Sequence, residues 1–462
     1  MTSYVLSRWD PECPVFWQAE GKGVARRNLW LSIPALTLAF AVWMVWSMVV
    51  VNLPNVGFRF TTDQLFWLAA LPALSGATLR IFYSFLVPIV GGRRWTAIST
   101  ATLLIPALGI GFAVQDPSTS YPVMLLLALL CGFGGGNFSS SMANISFFYP
   151  KAEKGMALGL NAGLGNLGVS IMQFLVPVVI TGGLFGALGG EAQTWVKGGV
   201  TKQVWLQNAA FVWVPFILAS TLASWFGMND LANAKASFVE QAVIFKRPHN
   251  WIMCWLYIGT FGSFIGFSAA FAMLTKAQFP AVDPTAYAFL GPLVGALTRP
   301  VGGWLADKTG GARATFWTFI LMAAAVWGVM QFMPHAGNGG EFGGFLAMFV
   351  LLFALSGLGN GSTFRMIPVI FLTERMRALT TQHGEGARSV AIAEAAKESA
   401  AALGFAGAIG AYGGFFIPKS FGSSIAATGS ADLALWCFIA FYLSCVAITW
   451  WCYSRRNAPM PC

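Results

Sequence analysis

Acidic residues are scarce in this chain. Asp and Glu together number 17 in 462 residues, His occurs 3 times, and charged residues make up 10% of the whole. A soluble globular protein carries roughly 25%, so a water-soluble fold is excluded. The seven cysteines (Cys13, Cys131, Cys254, Cys437, Cys445, Cys452 and Cys462) form no CxxC and no paired spacing. Five of them fall in apolar runs, where cysteine packs as a small hydrophobe. No disulfide framework, metal or cofactor is expected. The histidines, His249, His335 and His383, lie outside the apolar runs. A membrane-embedded enzyme would need metal ligands or an activated nucleophile there, so no enzyme is expected. What the chain has instead is 56% hydrophobic residues, among them 40 Phe and 19 Trp. Its net charge of +10 could suggest nucleic acid. Most Lys and Arg, however, fall in alternate short loops, as the positive-inside rule requires, so the expected partner is a lipid bilayer and no nucleic acid.

A bilayer-spanning helix needs about 20 largely apolar residues. That window gives twelve spans: 29–52, 63–90, 95–114, 121–148, 156–182, 208–227, 250–275, 285–306, 312–334, 342–373, 399–427 and 431–454. With both termini in the cytoplasm, the outside segments hold only Arg59, Lys197, Lys202, Lys276 and Lys419 as basic residues. The segment before the first span carries Asp10, Glu12 and Glu20 and no cleavage-like site, which reads as a cytoplasmic leader. The fold class is therefore an all-α membrane protein of twelve transmembrane helices in two pseudo-symmetric six-helix bundles. The expected organisation is a cytoplasmic N-terminal segment 1–28, a first bundle 29–227, a cytoplasmic linker 228–249, a second bundle 250–454 and a cytoplasmic tail 455–462. Monomer is the default state.

Two arginines stand deep inside these spans. Gly76-Ala77-Thr78-Leu79-Arg80 is nearly repeated as Gly295-Ala296-Leu297-Thr298-Arg299, and a Gly-Gly pair begins 11 residues after each arginine, at Gly91 and Gly310. Each repeat falls on the second helix of its half, so the repeat is parallel and a substrate is expected near the midplane. A charge at the centre of a membrane helix costs at least ~2.5–3.5 kcal/mol and marks function by default. Snorkelling to an interface is the bland alternative, and the matched positions favour one central, positive site instead. Such a site suits an anion.

The run Gly302-Gly303-Trp304-Leu305-Ala306-Asp307-Lys308-Thr309-Gly310-Gly311-Ala312-Arg313 resembles the G-x-x-x-D-[RK]-x-G-x-[RK]-[RK] loop signature of the major facilitator superfamily. The helix 2–3 copy keeps Gly91-Gly92-Arg93-Arg94 and lacks the aspartate. The signature implies a gate brace, in which Asp307 and basic groups such as Arg313 pair in one state and release in the other. A narrower resemblance, to the nitrate/nitrite porter family and its bacterial antiporter branch, runs over essentially the whole chain. It rests on Gly159 to Gly168 in helix 5, the related run Gly404 to Gly414 in helix 11, Arg27-Asn28-Leu29-Trp30, Asn144 to Phe148, Trp225 to Leu231 and Thr260 to Ser268. Gly163, Gly165 and Gly168 also fit GxGxxG. That dinucleotide fingerprint needs a soluble βαβ unit, and here it lies inside an apolar helix. Close helix packing explains it better, and with Gly407 and Gly410 these glycines would let facing helices slide.

The family resemblance implies nitrate and nitrite as substrates and Arg80 and Arg299 as their binding residues. A guanidinium fork matches a planar oxyanion and stays charged at any working pH. The resemblance also implies Asn166 as a hydrogen-bond donor, Phe40, Phe138, Tyr257 and Phe261 as cavity walls, and residence in the bacterial inner membrane. Arg365 is a third arginine within a span, where a glutamine is implied; it either adds charge to the inner vestibule or reaches the interface. All 17 carboxylates lie in or at the edges of loops and the histidines lie outside the spans, so no proton carrier is visible on the path. That favours exchange of nitrate inward for nitrite outward by alternating access, since an empty, doubly positive site resists reorientation. The alternative is proton-coupled nitrate uptake, for which Glu394 and Glu398 are the nearest acids. An anion sensor would need a signalling domain for which the loops have no room.

Overall fold

The computed structural model describes residues 4–232, 242–334, 339–378 and 385–462. Residues 233–241 of the linker, His335 and His383 lie outside the described residues. Eleven of the described helices are long and apolar enough to cross a membrane. These are α1 (Pro14–Val49), α2 (Thr62–Val90), α3 (Gly92–Ala113), α4 (Tyr121–Phe148), α5 (Lys151–Val179), α6 (Asn208–Gly227) and α7 (Pro248–Gln278), followed after α8 by α9 (Gly311–Phe332), α10 (Phe342–Ala378), α11 (Val390–Thr428) and α12 (Asp432–Ser454). The remaining long helix, α8 (Leu290–Thr309), is less apolar because Arg299, Asp307 and Lys308 fall within its 20 residues. Helices satisfy their own backbone donors and acceptors, as a hydrocarbon surrounding requires. Large apolar side chains such as Phe82, Phe112, Trp255 and Trp327 stand exposed on them, which suits lipid and not water.

Helix ends depart from the apolar windows where charge or amphipathic sequence continues the helix. Thus α1 begins at Pro14, because Trp17 and Ala25 bury one face of the leader against Phe148 and Ala157. Likewise the helix that forms α11 is wound from Glu385, ahead of the apolar window, and its Glu394 and Glu398 pair with Arg375. The start of α2 is set by a capping box: Gln64 N donates to Thr61 Oγ1 at 3.2 Å, and Thr61 N donates to Gln64 Oε1 at 2.9 Å. Among the described residues there are also four short strands: β1 (Val5–Leu6), β2 (Gln193–Lys197), β3 (Val200–Val204) and β4 (Asp230–Leu231). Strands β2 and β3 form an antiparallel hairpin, and β1 lies parallel to β4.

The chain divides into two compact units, one of residues 1–235, 266–293 and 414–429, the other of 236–265, 294–413 and 430–462. Both contain the same local device. In the first, a Cβ added at Gly76 on α2 would lie 3.0 Å from the backbone of Gly135 on α4. In the second, a Cβ at Gly302 on α8 would collide with the Leu358 carbonyl of α10, and one at Gly357 with the Gly295 carbonyl. Inter-helix hydroxyl bonds accompany these contacts: Ser75 Oγ donates to Leu129 O at 2.7 Å, and Thr298 Oγ1 to Ala354 O at 2.9 Å. The turns that follow are alike too. Gly91 and Gly310 sit at φ +98° and +90°, a region that only glycine enters without strain. The repeat visible around Arg80 and Arg299 is thus a repeat of packing.

Candidate anion site

Arg80 stands one turn beyond Gly76, where α2 and α4 come closest. Its side chain is enclosed, at 1% relative exposure. Nε donates to Gly135 O at 2.8 Å, and the guanidinium carbon lies 4.9 Å from the Trp43 ring centre and 4.7 Å from that of Phe138. Phe40 stands edge-on to both rings, at 5.6 Å from Trp43 and 6.0 Å from Phe138. A desolvated cation over an aromatic face gains about 2 kcal/mol, so two rings offset part of the burial cost. The structure therefore joins three residues singled out from sequence, Arg80, Phe40 and Phe138. It adds Trp43, which sequence reasoning missed although it lies one turn from Phe40 on α1.

Arg299 is built alike in the other unit, on α8 beside α10, at 9% exposure. Nη2 makes a long 3.5 Å bond to Tyr257 Oη, and the guanidinium carbon lies 5.4 Å from the Phe364 ring centre. Its Nη1 is buried with no hydrogen-bond partner among the described residues, and no carboxylate among them pairs with this arginine. A buried charge left so costs free energy unless a ligand satisfies it. Tyr257 stacks on Phe261, with ring centres 5.6 Å apart and planes at 24°. Between these two rings α7 winds as a π-helix over Ile258–Gly262, a feature frequent at functional sites. The glycines of α11 meet this wide turn: a Cβ at Gly410 would touch the Tyr257 ring, and Gly413 lies against Gly262. Gly407 is buried on the same helix. Neither the π-turn nor Phe364 was signalled by sequence.

On α5 the small and polar residues form one face. Asn166 is fully buried with its Oδ1 unpartnered among the described residues, and turning the amide would present its NH2 instead. Seven residues on, and so on the same face, Gln173 Nε2 donates to Ser47 Oγ at 3.0 Å and to Ser268 O at 2.9 Å. The three signature glycines differ. A side chain at Gly165 would press on Leu36 and one at Gly168 on the Thr37 carbonyl, whereas Gly163 faces open space.

The charged loops supply pairings that sequence left open. Asp307 pairs with Arg365, both about half exposed, so Arg365 reaches the signature loop and neutralises an acid there. Arg313 is exposed and has no ion pair among the described residues. In the helix 2–3 copy the missing aspartate is supplied from afar. Asp230 accepts from Arg93 N at 2.8 Å and Arg93 Nε at 3.2 Å, with Arg94 Nε at 3.7 Å. Its neighbour Asn229 is held by Arg27 and Asn28, which brings three separately quoted stretches to one place. Glu398 accepts from Arg247 at 2.9 Å and from Arg375, and Glu394 lies 3.1 Å from Arg375. Among the described residues no group of three or more His, Cys, Asp or Glu side chains is arranged to hold a metal.

Comparison with known proteins matches the chain over nearly its whole length. The sequence pattern of the Major Facilitator Superfamily matches residues 35–381. The nitrate/nitrite transporters NarU of Salmonella typhimurium and Escherichia coli are 53% and 52% identical over 455 residues, 98% of this chain and 97% of each relative. A probable nitrate/nitrite antiporter of Thermus thermophilus is 42% identical over 463 residues, 99% of this chain and 98% of the relative.

Proposed function

Because the chain belongs to the major facilitator superfamily, and within it to the nitrate/nitrite porter family, we propose that it exchanges nitrate for nitrite across the bacterial inner membrane. In this reading it works as a monomer with both termini in the cytoplasm, carrying nitrate inward and nitrite outward by alternating access. The observation that carries the proposal is the pair of buried arginines at equivalent positions in a chain over half identical to nitrate/nitrite transporters. Arg80 and Arg299 each present a planar fork, walled by Phe40, Trp43 and Phe138 in one case and by Tyr257, Phe261 and Phe364 in the other. Nitrate and nitrite are flat, monovalent and weakly hydrated, so they suit an aromatic wall better than sulfate or phosphate does. Asn166 adds an amide, and the unspent Nη1 of Arg299 is a donor awaiting an acceptor.

Exchange is favoured over proton symport by the state of the acids. Glu398 and Glu394, the nearest candidates for a proton path, already accept from Arg247 and Arg375. An empty site with two like charges resists reorientation, and a bound anion relieves that repulsion in either direction. The test is uptake of nitrogen-15 nitrate into proteoliposomes preloaded with nitrite or left empty. Uptake that requires internal nitrite supports exchange. Uptake into empty vesicles driven by an inward proton gradient replaces it with symport.

A further inference from the structure

The hairpin end of the first unit contains a second concentration of positive charge. A cavity of about 130 Å³ opens where the ends of α1 and α5 meet the β2–β3 hairpin and the last turn of α7. Lys197, Lys202 and Lys276 all line it, together with Trp195 and Asp283. Basic residues are few on this side of the chain, so the meeting of three lysines in one cavity is not a consequence of composition. Each has a local partner, and none of these is an acid. Lys276 Nζ donates to Val51 O at 2.6 Å, Lys197 Nζ to Val282 O at 3.4 Å, and Lys202 Nζ lies 4.4 Å over the Trp195 ring. An ammonium has three donors, so each retains donors for a ligand. Among the described residues no carboxylate forms an ion pair with any of the three. The one acid lining it, Asp283, turns Oδ1 to Thr285, accepting from Thr285 N at 3.0 Å and from Thr285 Oγ1 at 2.7 Å, so the lining carries a net positive charge.

The geometry points to a second anion site, formed by Lys197, Lys202 and Lys276 around Trp195, that captures a small monovalent anion before it reaches the buried arginines. Its lining shares no residue with either arginine cluster. Pro177 in its wall is eleven residues beyond Asn166 on α5, about 16 Å along the helix axis at 1.5 Å per residue. Between the two along α5, Gln173 bridges to Ser47 of α1 and to the Ser268 carbonyl of α7. A water takes about 30 Å³ of liquid, so the cavity has room for a small anion with part of its hydration shell. Its net charge attracts anions, and the Trp195, Pro177 and Ile180 walls favour weakly hydrated ones. Clefts of one charge sign between low-dielectric walls raise local ligand concentration and capture rates by about 10- to 1000-fold.

The binding claim stands apart from the transport reading and is tested separately from it. The probe is iodide, a weakly hydrated monovalent anion that quenches indole emission on contact. Purified full-length protein in neutral detergent is titrated at constant ionic strength, and the signal of the Trp195→Phe variant is subtracted. A saturable Trp195 component is expected, displaced by nitrate and far less by sulfate. Its half-saturation should rise about tenfold in the Lys197→Gln/Lys202→Gln variant and return in Lys197→Arg/Lys202→Arg. Purely linear quenching, or saturation unaffected by removal of the lysines, would overturn the site. So would a component that vanishes in phosphatidylglycerol vesicles and persists in phosphatidylcholine vesicles, since anionic lipid would then be the occupant. In proteoliposomes, capture at subsaturating external nitrate should fall about tenfold in the glutamine variant at low salt. The unmodified protein should drop to meet it as the screening length shrinks towards ~8 Å. A deficit of the same size at every salt concentration contradicts a role for charge.

Discussion

Arg80 and Arg299 are costly residues that the sequence places in plain view. A charge inside an apolar run is a one-dimensional signal, and so is a repeat of Gly-x-x-x-Arg, which is why both could be found without coordinates. Their surroundings could be read only in part. Trp43 and Phe364 reach the guanidinium faces through inter-helix register, which no local pattern encodes. Asp230 serves Arg93 from 137 residues away. The fork geometry makes a sharp prediction. Arg80→Lys and Arg299→Lys keep the charge and lose the planar donors, at about 1.5–3 kcal/mol for hydrogen bonds to a charged group. Nitrate transport should fall about 10- to 100-fold in each, with membrane insertion and elution on size exclusion unchanged. Wild-type flux in either variant removes that arginine from the anion site.

Among the elements, the helix pairs α2–α4 and α8–α10 carry the arginines on backbone contacts that leave no space for a side chain. The sequence displayed the glycines but not which of them matter. Gly302 and Gly303 are adjacent and identical in composition, yet a Cβ at Gly302 strikes the Leu358 carbonyl while one at Gly303 meets nothing within 4 Å. Gly302→Ala should therefore lower stability by about 1–3 kcal/mol, as overpacking does, and Gly303→Ala should leave it unchanged. Thermal unfolding in detergent compares the two directly; equal midpoints would mean that α8 and α10 are not held as described. Spans were legible from apolar runs, except where charge continues a helix. The early start of α11 comes with Glu394 and Glu398 meeting Arg375, and the π-turn of α7 leaves no trace in composition. The signature loop pointed to an ion pair for Asp307, but its partner Arg365 lies 58 positions away on another helix.

At the scale of the whole molecule, the proposed cycle needs one side closed while the other is open. Within the first unit, the hairpin-side ends of α1, α2, α5, α7 and α11 are tied together. Lys419 Nζ lies 2.7 Å from Asp63 Oδ1 and 4.6 Å from the Trp67 ring centre, Lys276 holds the Val51 carbonyl, and Gln173 holds Ser268. Part-exposed pairs of this kind contribute about 0.2–1 kcal/mol, so Asp63→Asn should speed amide exchange in the last turns of α11 by up to a factor of about 5. The swap Asp63→Lys with Lys419→Asp should reverse it. Unchanged exchange in Asp63→Asn means that the pair does not hold this end. The account as a whole turns on obligate exchange of like-charged anions without a proton. The decisive measurement is nitrite release from nitrite-loaded proteoliposomes on adding external nitrate, with and without an imposed pH gradient. The account predicts prompt release at the same rate in both; release that waits on the gradient, or nitrate entry into nitrite-free vesicles driven by protons, contradicts it.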